Sequence, residues 1–78
     1  MLSVRILTPS QLLFEGQVES VTLPGSIGSF TVLKGHAPII SSLERGKVVC
    51  ADANDSHEYD ANGGFVEVKN DIVSICID

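Results

Sequence analysis

Nowhere in this chain does an apolar i, i+3, i+4, i+7 period run for three turns, and no stretch carries helix-capping chemistry. Short alternating runs stand in its place, each cut by Gly, Pro, Asn, Asp or Ser. A chain punctuated this often has room for strands and hairpins only. Residues 3–7 alternate with Val4 and Ile6 on one face, before the Thr8-Pro9-Ser10 turn. Residues 11–14 form a second strand, stopped by Glu15-Gly16. Residues 17–23 alternate at Glu19, Val21 and Leu23, with Val18 out of phase, which predicts a bulge or a strand buried partly on both sides. Residues 39–43 are a mixed segment, ended by Glu44-Arg45-Gly46. Strands follow at 47–51, 57–61, 65–69 and 72–78, the last two presenting Val66, Val68, Val73, Ile75 and Ile77 to one face across an Asn70-Asp71 turn. The expectation is an all-β fold: a flattened sandwich or barrel of about 8–10 short antiparallel strands in a single domain, residues 1–78.

The stretch from Leu23 to Pro38, LPGSIGSFTVLKGHAP, has the densest punctuation. Pro24 and Gly25 suit positions i+1 and i+2 of a turn. Residues 30–33 are a short strand of pleat-loving residues. Lys34-Gly35 breaks it, and Pro38 forces an extended exit through His36 and Ala37. The predicted result is one strand held between two stiff turns.

The core must come from Val, Ile and Leu, because the chain has no Trp and only four aromatics; it is nonetheless 44% hydrophobic, enough to fold. Phe14 and Phe65 are expected in that core, and Phe30 nearer the surface. A net charge of −5 with five scattered Lys and Arg argues against nucleic-acid binding. Apolar runs fall far short of the roughly 18–20 residues needed to cross a bilayer. No signal-peptide pattern is visible, so a soluble, cytoplasm-facing protein is expected. Cys50 and Cys76 lie on predicted strands without metal-like spacing and are expected to be reduced.

Chemistry-bearing patterns are sparse. There is no phosphate-cradling GxxxxGK[ST], and no helix follows Gly25-Ser26-Ile27-Gly28 to aim a dipole at an anion. His36 and His57 lack the local spacing of a zinc site, although a metal-dependent β enzyme using both is one reading. His36, between Gly and Pro, is expected to bond neighbouring backbone or to touch a partner. Lys69-Asn70-Asp71, on a hairpin of a small acidic β domain, is loosely similar to the modified lysine of lipoyl or biotinyl carrier domains, but Val68 precedes it where those carry Asp or Met. A carrier or small β binding module is therefore the alternative reading. No cofactor, metal or catalytic residue is assigned.

One ordered set of motifs spans the whole chain. Gly25-Ser26-Ile27-Gly28, the strand Phe30 to Leu33, Gly35-His36-Ala37-Pro38, Ile39-Ile40, Gly46 and the late Gly63-Gly64-Phe65 run together resemble the N-terminal β-sandwich domain of the epsilon subunits of F-type ATP synthases. The resemblance implies a non-catalytic rotor subunit of the central stalk. It would rest on the polar loops of the c-ring, pack one face on the gamma subunit, and act on the catalytic hexamer only indirectly. It implies ring contacts at Gly25, Ser26, Gly28, Ser29 and Phe30, and gamma contacts at Thr8, His36 and Ser41. A peripheral place on the cytoplasmic face of the membrane follows, without lipid insertion. Three positions depart from the family pattern: Ser29 stands where an acidic residue is common, Thr31 where Gly is, and Lys34 where Pro is. Family members usually continue into two C-terminal helices that inhibit hydrolysis and in some cases bind ATP. The chain as given ends at Asp78, which implies coupling without helix-mediated self-inhibition.

Overall fold

The computed structural model describes residues 1–78 and contains nine strands and no helix. They are β1 (Leu2–Leu7), β2 (Leu12–Val18), β3 (Ser20–Gly25), β4 (Gly28–Leu33), β5 (Ile39–Leu43), β6 (Gly46–Ala51), β7 (Ser56–Ala61), β8 (Gly64–Lys69) and β9 (Ile72–Ile77). Hydrogen bonding runs in the order β2-β1-β9-β8-β5-β3-β6-β7, with β4 on the remaining edge of β3. This one sheet curls into a half-barrel, consistent with the expected all-β sandwich or barrel.

Its hinge is at the end of β3. Ser20 to Thr22 pair with β6, but Gly25 pairs with Leu43 of β5. Chain direction therefore splits at Glu44 and Arg45, β5 joining one half of the sheet and β6 the other. Alternation then points the aliphatics of both halves inward. Leu2, Val4, Ile6, Val18, Leu43, Val66, Val68, Val73, Ile75 and Ile77 come from the β2-β1-β9-β8-β5 half. Val21, Leu23, Val32, Val48, Cys50 and Ala61 come from the other, and all form one buried cluster. No polar or charged residue is buried. The seam between the two end strands is closed by side chains: the Phe14 ring of β2 lies 5.7 Å from His57 and 6.0 Å from Tyr59 of β7, centroid to centroid.

Several expectations change in detail. The β1–β9 pair is parallel, Ser3 beside Ile72 and Leu7 beside Cys76, while all the others are antiparallel. Glu15-Gly16 does not stop β2. Gly16 pairs with Val4 in mid-strand, and the Phe14 ring fills the space over it, 3.3 Å from where a Cβ would stand. Residues 17–23 are two strands, not one bulged strand. Glu19 is the corner at which the chain leaves one half for the other, so Val18 and Val21 face the same core from opposite sides. Phe65 is 52% exposed, because it alternates with the core residues Val66 and Val68 on β8. Phe14 is half-buried against the core.

Pro24-Gly25 is not a turn either. Both residues are in β3, and the chain reverses at Ser26-Ile27, with Gly25 opposite Gly28. The missing N–H of Pro24 faces the side on which β6 has already bent away, where no ladder partner is lost. Asn70 and Asp71 do make the predicted tight turn, both at positive φ (52° and 62°).

Candidate functional site

Strand register sorts the connections into two ends of the molecule. Turns 8–11, 26–27, 44–45 and 62–63 lie at one end. The segment 34–38 and the turns 52–55 and 70–71 lie at the other. A six-residue strand separates the ends by about 17 Å.

The first end is dominated by the Ser26-Ile27 hairpin, and the sequence builds it to be stiff. The Ser26 N–H donates to Ser42 O at 3.1 Å, and the Ser26 and Ser42 hydroxyls bond at 2.8 Å. Along the same edge, past the Gly25–Leu43 pair, the Glu44 N–H donates to Pro24 O at 2.8 Å. Gly25 is required for space rather than for its backbone angles: a Cβ there would stand 2.7 Å from Gly28 O and 2.8 Å from the Phe30 ring. Gly28 sits at φ +145°, closed to ordinary side chains. Phe30 leans back onto the core, and Ser29 is exposed opposite Pro24. Gly25, Ser26, Gly28, Ser29 and Phe30 thus form one braced unit.

Thr8, His36 and Ser41 are not brought together. Thr8 belongs to the hairpin end, where its hydroxyl accepts the Gln11 N–H at 3.1 Å. His36 lies at the opposite end, its N–H on Leu33 O at 3.1 Å and its Nδ1 2.7 Å from Ala37 O. Gly35 (φ +83°) donates to Asp71 Oδ1 at 2.7 Å and fastens this turn to the β8–β9 turn. Ser41 is half-buried in β5, its hydroxyl donating to Ser42 O at 3.0 Å. What runs from end to end is the outer face of the β2-β1-β9-β8-β5 half. There Leu12, Ile40, Phe65 and Ile72 are exposed.

Both ends carry charge. Beside the hairpin are Glu44, Arg45 and Asp78; at the far end are Glu19, Asp52, Asp55 and Asp71 with Lys34 and Lys69. Elsewhere Lys47 reaches Asp60 at 2.9 Å, and that hydrogen bond and charge raise its pKa. Burial pushes the Cys50 thiol up to about 11. Both cysteines are free. His57 pairs with Asp55 at 3.4 Å, apart from the contacts of His36. No group of three or more metal-ligating side chains converges. Lys69 ends β8 opposite Ile72, and the hairpin tip is Asn70-Asp71. Neither the metal-enzyme nor the carrier reading gains a supporting contact.

Residues 1–78 match the sequence model of the family described as ATP synthase, Delta/Epsilon chain, beta-sandwich domain. The chain belongs to this family. Among its relatives, a protein called ATP synthase epsilon chain from Leptospira borgpetersenii is 36% identical across 99% of this chain and 61% of its own length. One of the same name from Campylobacter jejuni is 42% identical across 99% of this chain and 59% of its own. The chain therefore spans about three-fifths of the length of these relatives.

Two solved structures share the fold. A chain of the Euglena gracilis mitochondrial ATP synthase, described as OSCP/F1/c-ring, superposes with a TM-score of 0.90 at 20% identity, covering 97% of this chain and 49% of that one. A chain of the Tetrahymena thermophila mitochondrial ATP synthase, central stalk and c-ring, gives 0.80 at 19%, covering 97% and 62%. The braced turn was legible in the family's Gly-Ser-x-Gly spacing. Ile27 at its tip was not, because Pro24-Gly25 carries the stronger local turn signal two residues earlier.

Proposed function

We propose that this β-sandwich is a non-catalytic part of the central stalk of an F-type ATP synthase, coupling the c-ring to the gamma subunit during proton-driven ATP synthesis. The braced Ser26-Ile27 hairpin is the observation that carries this reading. A part that passes torque must meet its neighbours through turns that do not yield, built on a closed core. The ring contact is assigned to Gly25, Ser26, Gly28, Ser29 and Phe30. The gamma contact includes Thr8, His36 and Ser41. Since Thr8 and His36 stand at opposite ends of the domain, gamma lies along its length, with the exposed outer face around Ile40 and Phe65 as the main seat; Ser41, on the other face of β5 from Ile40, is reached only at its edge. The domain is then a peripheral subunit on the cytoplasmic side, reaching the catalytic hexamer only through gamma. Residues 1–78 contain no helix, so they contribute coupling and no inhibition by helix extension.

Co-migration on a sizing column tests this. The purified chain is expected to form a one-to-one complex with its cognate gamma subunit, and the pair to join detergent-solubilised c-ring. A chain that binds neither refutes the reading. So does a chain that lowers ATP hydrolysis by the purified enzyme through a block of rotation, which would contradict coupling without inhibition.

A further inference from the structure

The chain has three asparagines, Asn54, Asn62 and Asn70, each in a turn between strands. Only Asn62 is followed by glycine; Asp55 and Asp71 follow the other two. A backbone nitrogen attacks the preceding Asn side chain most readily when no side chain shields it and no hydrogen bond holds its proton. The Gly63 nitrogen meets both conditions. It lies between β7 and β8, outside the ladders, and its N–H makes no backbone hydrogen bond. The Asp55 N–H, by contrast, is held by the Asp52 carboxylate at 3.0 Å. Asp71 carries a negative charge of its own beside its N–H, which disfavours loss of that proton. Asn62 itself is exposed.

We propose that Asn62 is a site of spontaneous modification in the folded protein, converting through a cyclic imide to aspartate and isoaspartate. The Gly63 nitrogen bonds to Asn62 Cγ and gives up its proton; the bond from Cγ to the side-chain nitrogen breaks, and ammonia leaves. Water then opens the ring. Cleavage at Cγ gives aspartate with the chain intact. Cleavage at the backbone carbonyl gives isoaspartate, in which the chain runs through the side chain and is longer by a carbon. That extra length falls just before Gly63, whose O accepts the Asp78 N–H at 3.2 Å, and Gly64, which is packed against the Cys76 carbonyl. Both products also put a carboxylate into the surface hollow that Asn62 shares with Arg45, Lys47 and Asp60. Lys47 is paired there with Asp60, whereas Arg45 has no carboxylate partner and would gain one. No enzyme is needed, so the fraction converted records the age of the chain. The proposal does not depend on the rotor reading.

The test ages the whole purified chain in warm, mildly alkaline buffer, folded and in urea, and follows each Asn by digestion and mass spectrometry. A carboxyl methyltransferase that esterifies isoaspartate, supplied with labelled S-adenosylmethionine, reports that product independently. In the folded chain Asn62 is expected to convert at least about tenfold faster than Asn54, whose attacking nitrogen must first give up a hydrogen bond to a carboxylate. Methyl label is expected to accumulate in the aged wild type and not in aged Asn62→Gln, whose longer side chain closes the ring slowly. Conversion of Asn62 in urea but not in the folded chain overturns the proposal, because the turn would then be holding the two groups apart. So does conversion of Asn54 or Asn70 at the rate of Asn62, or methyl label that persists in Asn62→Gln.

Discussion

A Cβ at position 64 has nowhere to go. Gly64 holds φ +136°, and the added atom would overlap the Cys76 carbonyl oxygen on β9. Gly64→Ala is expected to cost at least about 3 kcal/mol, a large share of what a domain this size has. Gly28 shares the unusual angle (φ +145°) but has no atom within 4 Å of its missing Cβ, so Gly28→Ala should cost only about 1–2 kcal/mol. Urea titration of the two variants separates backbone strain from collision. Cys50 supplies a pH test. Burial raises its folded pKa from the ordinary 9.0 to about 11. Between these values the unfolded chain gives up the proton and the folded chain keeps it. Stability is therefore whole below pH 9 and drains away as pH rises towards 11. Melting temperatures across that window should fall less steeply in Cys50→Ala than in the wild type. Equal slopes would remove Cys50 as the cause.

Strands and turns carry the next set of consequences. The β2–β7 seam has no ladder of its own and relies on Phe14 against Tyr59 and His57. Phe14→Ala should destabilise by about 2–4 kcal/mol and quicken amide exchange in β2 and β7 before the rest. Uniform quickening would show that the seam is not a separate unit. Local alternation made most strands readable: Val4 with Ile6, Val66 with Val68, and Val73 with Ile75 and Ile77 each point the way their period says. It failed where a partner strand overruled a local signal. Glu15-Gly16 looks like a stop, yet pairing with β1 and cover from Phe14 carry β2 through it. Pro24-Gly25 looks like a turn, yet β3 continues because the ladder on that side has already ended. Glu19 looks like one more position in a strand, yet it is a corner, which only the position of the other half of the sheet decides. Likewise Phe65 was expected inside for its size, while its place in the alternation puts it out.

As one body, the domain has its first and last strands side by side, β1 parallel to β9, so the first sheet half is completed only when both ends of the chain come together. Long-range pairing of this kind predicts one cooperative unfolding transition, seen together in near- and far-ultraviolet circular dichroism. Separate midpoints would mean that the halves yield independently. At this scale the sequence carried the fold class and the family through its ordered motifs. The division into two ends was hidden, because it depends on which strands neighbour which. For the same reason Thr8 and His36, both expected to touch gamma, could not be seen to lie at opposite ends. The central claim is that this domain and the ring belong to one rotating body. A cysteine at Ser26→Cys, cross-linked to the ring in the assembled, membrane-bound enzyme after Cys50 and Cys76 are replaced, tests it most directly. Parts that turn together lose nothing by being tied, so the cross-link should form in high yield with ATP-driven proton pumping retained. A cross-link to the ring that stops pumping, or none formed with the ring at all, would contradict it.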